Sequence, residues 1–226
     1  MLIAMLLAAA PQQGKAGDDA WRFSVEPYLW LARIDGHASA EDSPTASVDS
    51  SLQLDAAFFL AVEARRGENG FGVLADGLHL RLSDDDGALH TKIGAGMVEA
   101  GVLWPAGFAK GLDLIGGLRF VDLDLDLDLA GVRAGSGNAN WVDPWIGARE
   151  RIPIGGAWSA IVRGDVGGFG VGSEFSWQAM AGVRAECSDH VLVDVGYRAL
   201  GIDYEDHDVA FDAVVHGPVI GLAFRF

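Results

Sequence analysis

The stretch Val209 to Phe226, reading VAFDAVVHGPVIGLAFRF, constrains the fold more than any other. From Pro218 onward, Pro218, Ile220, Leu222, Phe224 and Phe226 fall on one face, and Val219, Gly221, Ala223 and Arg225 on the other. That period of two belongs to a β-strand. One face is large and apolar, the other small or charged. A strand this apolar needs a covering along its greasy face, either packed protein or lipid.

The same alternation recurs along the chain. In Leu54 to Arg65 the residues Phe58, Leu60, Val62 and Ala64 oppose Glu63 and Arg65. Leu89 to Trp104 sets Val98, Ala100, Val102 and Trp104 against Glu99 and Gly101, and Leu112 to Phe120 sets Leu114, Leu118 and Phe120 against Asp113, Gly117 and Arg119. Phe175 to Cys187 alternates throughout, and His190 to Tyr204 places Val191, Val193, Val195 and Tyr197 opposite Asp194, Gly196 and Arg198. No segment shows a useful helical period, so the fold class is all-β and antiparallel, with about ten strands in an up-and-down barrel. Eight or twelve remain open, because Asp35 to Ser51 has room for a further pair and Phe71 to Leu82 alternates poorly. Turns at Arg66 to Gly70, Pro105 to Gly111, Ile154 to Gly156 and Ser188-Asp189 fall on the side of the chain termini. Asp35 to Ser51 and Ala130 to Asn138 read as loops on the opposite side.

Composition then selects the covering. The 226 residues carry a net charge of −16, yet mean hydropathy is +0.22. Charge and apolar surface must therefore be segregated, and a transmembrane barrel does this by facing apolar groups to lipid and charges to the lumen and loops. The acidic balance excludes a nucleic-acid footprint, and the single Cys187 makes no internal disulfide or metal cluster. Met1 to Ala10 is a short apolar run followed by small residues, so residues 1–16 read as an export signal and 17–226 as the barrel domain.

On these marks, together with the stretch Trp141 to Gly172 and the terminal Phe-Arg-Phe, the chain resembles the small porin-like outer-membrane β-barrel proteins of Gram-negative bacteria. The resemblance implies residence in the outer membrane, with lipid as one partner. It also implies that the barrel-assembly machinery reads the last strand through Ile220, Leu222, Phe224 and Phe226.

The lumen parity collects the candidate functional residues. Arg22, Glu26, Glu63, Arg65, Asp76, Glu99, Arg119, Asp143, Arg149, Arg163, Asp165, Arg184, Asp194 and Arg198 all fall on the inward face. Charges inside a narrow barrel must pair or be hydrated. One outcome is a salt-bridged plug, a structural role; the other is a narrow passive pore whose charges bias which small solutes pass. No cofactor is expected. Asp122, Asp124, Asp126 and Asp128 place carboxylates about 7 Å apart on one strand face, too far to share a cation without partners, so they read as a solvated extension beyond the membrane. Asp84 to Asp86 and Asp206-His207 are loosely similar to the omptin proteases, but adjacent strand residues point to opposite faces and do not form the couple that water activation requires. A Ser-His site has candidates in His79, His90 and His216 but no serine in a nucleophile context.

Aromatics at Trp21, Phe23, Trp104, Trp158, Phe224 and Phe226 suit one interfacial girdle, and Phe175, Trp177 and Tyr204 the other. The alternative is a soluble or periplasmic lipocalin-like calyx, whose large side chains would point inward and whose charges would point out.

Overall fold

The computed structural model describes residues 20–40, 46–48, 53–67, 70–84, 89–129, 132–206 and 209–226. The expected export signal lies outside these residues. Twelve strand segments follow one another: β1 (Trp21–Trp30), β2 (Arg33–Ala40), β3 (Ala46–Val48), β4 (Gln53–Arg66), β5 (Gly72–Asp84), β6 (Leu89–Pro105), β7 (Leu112–Leu129), β8 (Val132–Gly155), β9 (Trp158–Gly168), β10 (Phe175–Glu186), β11 (Val191–Glu205) and β12 (Val209–Arg225). Each of β4 to β11 pairs antiparallel with its successor, and β1 joins β4 on one side and β12 on the other, which closes a ten-stranded barrel. Strand β2 continues the course of β1 along β12, and β3 is a short extra strand on β2.

Two stretches read from sequence as loops are strand. Asp35 to Ser51 contains most of β2 and all of β3, and Ala130 to Asn138 contributes the first turns of pairing in β8, past a bulge at Leu127/Asp128. The reason is physical: a strand standing in water outside a membrane has a polar outer face, and here small residues such as Gly137 and Ala139 fill the inner one, so its composition matches that of a loop.

A transmembrane strand needs about 9–11 residues when tilted. With 11 and 12 residues, β9 and β10 only just span, whereas β7 has 18 and β8 has 24. The long strands therefore rise above the membrane on the far side, and the β9–β10 hairpin leaves a notch in that raised wall. From Leu112 to Asp124 side-chain parity holds along β7, but its chemistry inverts. Leu114, Leu118 and Phe120 are exposed on the outer face, and Asp122 and Asp124 follow them on that same face, while Arg119 gives way to Val121 and Leu123 on the inner one. Neighbouring strands change at the same level, at Val98/Gly96 in β6 and Val142/Asn140 in β8, as their pairing with β7 shows. Below this level the barrel is apolar outside and charged inside, as lipid demands. Above it the barrel has the polarity of a protein in water.

The rims match this division. Trp21, Phe23, Trp104, Phe108, Trp158 and Phe226 are exposed around the terminal rim, where amphipathic rings anchor at an interface. Tyr197 stands at the far boundary, its Oη 2.5 Å from His216 Nδ1, with His216 Nε2 2.7 Å from Asp35. Tyr204 is a correction to the expected far girdle: it is buried on the inner face, stacked on Trp141 at 3.9 Å. That stack ties β8 to β11 across the notch above the short hairpin.

Candidate functional site

The membrane-level lumen is filled by guanidiniums and carboxylates, delivered by alternate residues of the strands around the barrel. At its centre Arg119 is fully buried and gives Nε to Glu99 at 2.7 Å, Nη2 to Asp165 at 2.7 Å and Nη1 to the Ser176 hydroxyl at 3.1 Å. Arg163 closes the ring, donating to Asp165 at 2.9 Å and Glu99 at 3.0 Å, and its guanidinium lies 5.1 Å from the centre of the Trp145 ring. The indole fits because Gly101 has no side chain; a Cβ there would stand 2.7 Å from the ring.

Three satellites surround this centre. Toward the terminal rim, Arg65 grips Asp113 with two nitrogens at 3.1 and 2.5 Å and reaches Glu63 at 3.1 Å, while Arg149 joins Glu63 at 2.7 Å and Asp113 at 3.3 Å. Arg184 donates to Asp194 through two nitrogens, one of them at 2.7 Å, and to Glu26 at 3.1 Å. Arg198 donates to Gln178 at 2.8 Å, Tyr28 at 2.8 Å and Asp76 at 3.0 Å, and Tyr28 in turn donates to Asp76 at 2.6 Å. Bidentate pairs of this kind combine charge with fixed geometry, and burial of both members makes each dependent on the other.

All the sequence-selected lumen residues from Glu26 to Arg198 lie on the inner face, and Arg22 lines its terminal end. Asp143 differs in role. Its oxygens accept from the Ser173 backbone N–H and hydroxyl, both at 2.7 Å, and from Trp141 Nε1 at 3.2 Å. It therefore pins the β9–β10 connection onto the wall, an approach that Gly172 permits because a Cβ there would stand 2.6 Å from Asp143. Sequence reading left out Tyr28, Asp113, Ser176 and Gln178, although each shares parity with a residue it did select. Asp113 carries both the parity and the charge that select its neighbour Arg119, whereas Tyr28, Ser176 and Gln178 have the parity alone, and charge does not single out hydroxyl and amide groups.

Above the charged layer the lumen is filled by apolar side chains. Trp30, Phe59, Leu80, Met97, Leu123, Trp141 and Leu200 belong to one buried apolar cluster that caps the charged layer. Below it lie a cavity of about 120 Å³ and another of about 210 Å³, which share Arg149, Arg163 and Arg184 in their walls, the second reaching Arg22, Gly67 and Arg225 at the terminal rim. The interior thus has a recess toward the terminal rim, lined by ion pairs, with the apolar cluster beyond them.

Other candidates fall elsewhere. Asp122 and Asp124 point outward above the membrane level, and the side chain of Asp128 lies outside the described residues. So do Asp85, Asp86 and His207 of the omptin comparison and the side chains of Asp84 and His90. The calyx alternative requires apolar side chains inside and charges outside at every level, and the membrane-level layer has the reverse. Ile220 and Leu222 are exposed to the apolar band, as is Phe226 at its edge.

No protein-family model matches the chain, and no curated protein matches it in sequence. Solved structures do. The outer-membrane protease OmpT from Escherichia coli is 7% identical, with 95% of this chain and 99% of that chain covered and a TM-score of 0.60. Ail, the attachment invasion locus protein of Yersinia pestis, is 12% identical over 92% of this chain and 99% of that one, TM-score 0.46. A major outer membrane protein from Thermus thermophilus is 14% identical over 92% and 100%, TM-score 0.45. At such identities the likeness concerns fold alone. Closed antiparallel barrel, apolar belt and charged lumen together have the architecture of the Gram-negative outer-membrane β-barrel proteins.

Proposed function

We propose that this protein is a closed outer-membrane anchor, a barrel that does not conduct and that holds a rigid β-walled extension above the membrane surface. One observation supports this reading: two successive layers of buried side chains cross the lumen. Glu99, Arg119 and Asp143 are each 0% exposed in the charged layer, and Trp30 is 1% and Leu123 2% exposed in the apolar layer above it. Side chains with no accessible surface leave no water-wide gap beside them. The narrow-pore reading needs a continuous aqueous path lined by those same residues, and the stacked layers oppose it.

The hydrolase reading shares the fold with OmpT and has no further observation among the described residues in its favour. Recognition of Ile220, Leu222, Phe224 and Phe226 by the barrel-assembly machinery is part of the proposal, supported by the outward apolar face of β12.

The test is conductance of the refolded protein in a planar bilayer. The anchor reading expects no unitary current steps from material whose unheated form migrates as a compact species on a gel. Reproducible steps from such material refute it and restore the pore.

A further inference from the structure

Above the short β9–β10 hairpin, the raised wall ends in a strand edge with no partner. Strand β8 pairs with β7 from Val132 to Glu150, but with β9 only from Trp145 onward. At Val142 and Asp143 the β9–β10 connection covers the second edge, with Ser173 bonded to Asp143. From Val132 to Trp141 no strand among the described residues pairs with that edge. Its backbone direction follows from alternation. The Arg151 N–H donates to the Gly111 carbonyl at 2.9 Å, so the odd-numbered residues of β8 turn their N–H and C=O toward β7. The register runs unbroken from Leu112↔Glu150 to Leu127↔Gly135, so Ser136, Asn138 and Asn140 turn theirs to the open side. The Val142 carbonyl, of the same parity, agrees: a Cβ on Gly172 would stand 2.7 Å from it.

Natural sheets guard an open edge with proline, charge, a bulge or a cover. From Gly135 to Trp141, reading GSGNANW, there is neither a proline nor a charged residue, and the bulge at Leu127/Asp128 lies beyond. The flanks are acidic. Strand β7 exposes Asp122 and Asp124 on its outer face, and the far side of the notch exposes Glu174, Asp203 and Glu205.

We infer that the β8 edge binds an extended basic segment of another polypeptide, added antiparallel in the place that β9 leaves vacant above Gly168. Bare N–H and C=O groups in strand geometry recognise extended backbone, and the acidic flanks select the charge. Outward side chains of the added strand lie two strand spacings, about 10 Å, from Asp122 and Asp124, a span that Lys or Arg covers. Its inward side chains turn toward the Trp141 ring, so the segment that fits alternates basic with apolar residues. A second copy of this chain is disfavoured, because its own edge brings the same acidic flanks. The edge is the same whether or not the barrel conducts, so this inference goes beyond the anchor reading and is tested apart from it.

The experiment titrates the full chain, refolded in an uncharged detergent, into a fluorescein-labelled decapeptide of alternating Lys and Val, followed by anisotropy. A Glu-Val decapeptide is the charge control and Asn138→Pro the variant. Proline there removes an N–H that faces the open side and that the barrel does not use, so the fold is kept. Saturable binding of the Lys-Val peptide, weakened at least tenfold in folded Asn138→Pro and at least tenfold for the Glu-Val peptide, supports the site. No saturable binding, equal affinity in the folded variant, or equal binding of the Glu-Val peptide overturns it. If Asn138→Pro does not refold, amide exchange in the native protein decides. The Lys-Val peptide should slow the Ser136, Asn138 and Asn140 amides at least tenfold and leave Gly137 and Ala139 unchanged; unchanged rates at the first three refute the site.

Discussion

Replacing Arg119 by Met is the sharpest perturbation of the charged floor. The native guanidinium sits between two carboxylates, 2.5 Å from Glu99 and 2.7 Å from Asp165, with no exposed surface on any of the three side chains beyond 0%. Met fills much of the same volume but leaves Glu99 and Asp165 facing each other with Arg163 as the shared cation, which touches both at 2.9–3.0 Å. Removing one partner of a buried pair costs about 3–5 kcal/mol, chiefly because the remaining charge is stranded. The second change Glu99→Gln takes away the stranded charge and leaves Arg163 with Asp165 as a balanced pair. The Arg119→Met/Glu99→Gln protein should therefore be more stable than Arg119→Met alone, with a coupling of about 2–3 kcal/mol between the two sites. Reversible urea unfolding of the lipid-reconstituted barrel, followed by tryptophan emission, measures both quantities. A single variant within about 1 kcal/mol of the native protein, or a double variant whose loss equals the sum of the singles, refutes the idea that these residues act as one interlocked unit.

Three further outcomes follow from the geometry. Arginine placed on the outer face at Leu118 or Ile146 should destabilise the reconstituted protein by about 2–4 kcal/mol, whereas at Ser136 or Asn138 it should cost about 0–1 kcal/mol, as read from the same unfolding curves. Gly101→Val should lose about 1–3 kcal/mol through displacement of the Trp145 indole, visible as a shift of the unfolding midpoint with unchanged strand content by circular dichroism. Trp141→Ala removes the ring that stacks on Tyr204 across the notch and should cost about 3–5 kcal/mol, with faster amide exchange concentrated in β8 above Val142 and in β11 beyond Ala199.

The barrel was legible because lipid and lumen impose opposite chemistry on alternate residues, and the inward set of charges reads straight off that parity. Arg119, Glu99 and Asp165 could be placed inside together without any knowledge of who touches whom. Their partners could not be named, because pairing depends on which strands face each other across the lumen, and parity along one strand carries no such information. The raised wall was legible only in part. In β7 the alternation runs on past Phe120 through Asp122 and Asp124 and reads as a solvated strand extension, but the segment Ser136 to Asn140 is small and polar, and there a solvated strand and a loop have the same composition. Tyr204 was misplaced by the same inversion: above the membrane an aromatic residue belongs inside.

The inside-out arrangement of the membrane layer and its reversal above can be measured along one strand. With the exposed Cys187 first replaced by serine, single cysteines introduced through β7 carry nitroxide labels in lipid vesicles, and collision rates with oxygen and with a water-soluble nickel complex are recorded at each position. Labels at Leu114, Leu118 and Phe120 should favour oxygen, those at Asp122 and Asp124 should favour the nickel complex, and those at Ile115, Val121 and Leu123 should be shielded from both. Oxygen preference at the odd positions, or nickel access at Leu118 and Phe120, would contradict the account.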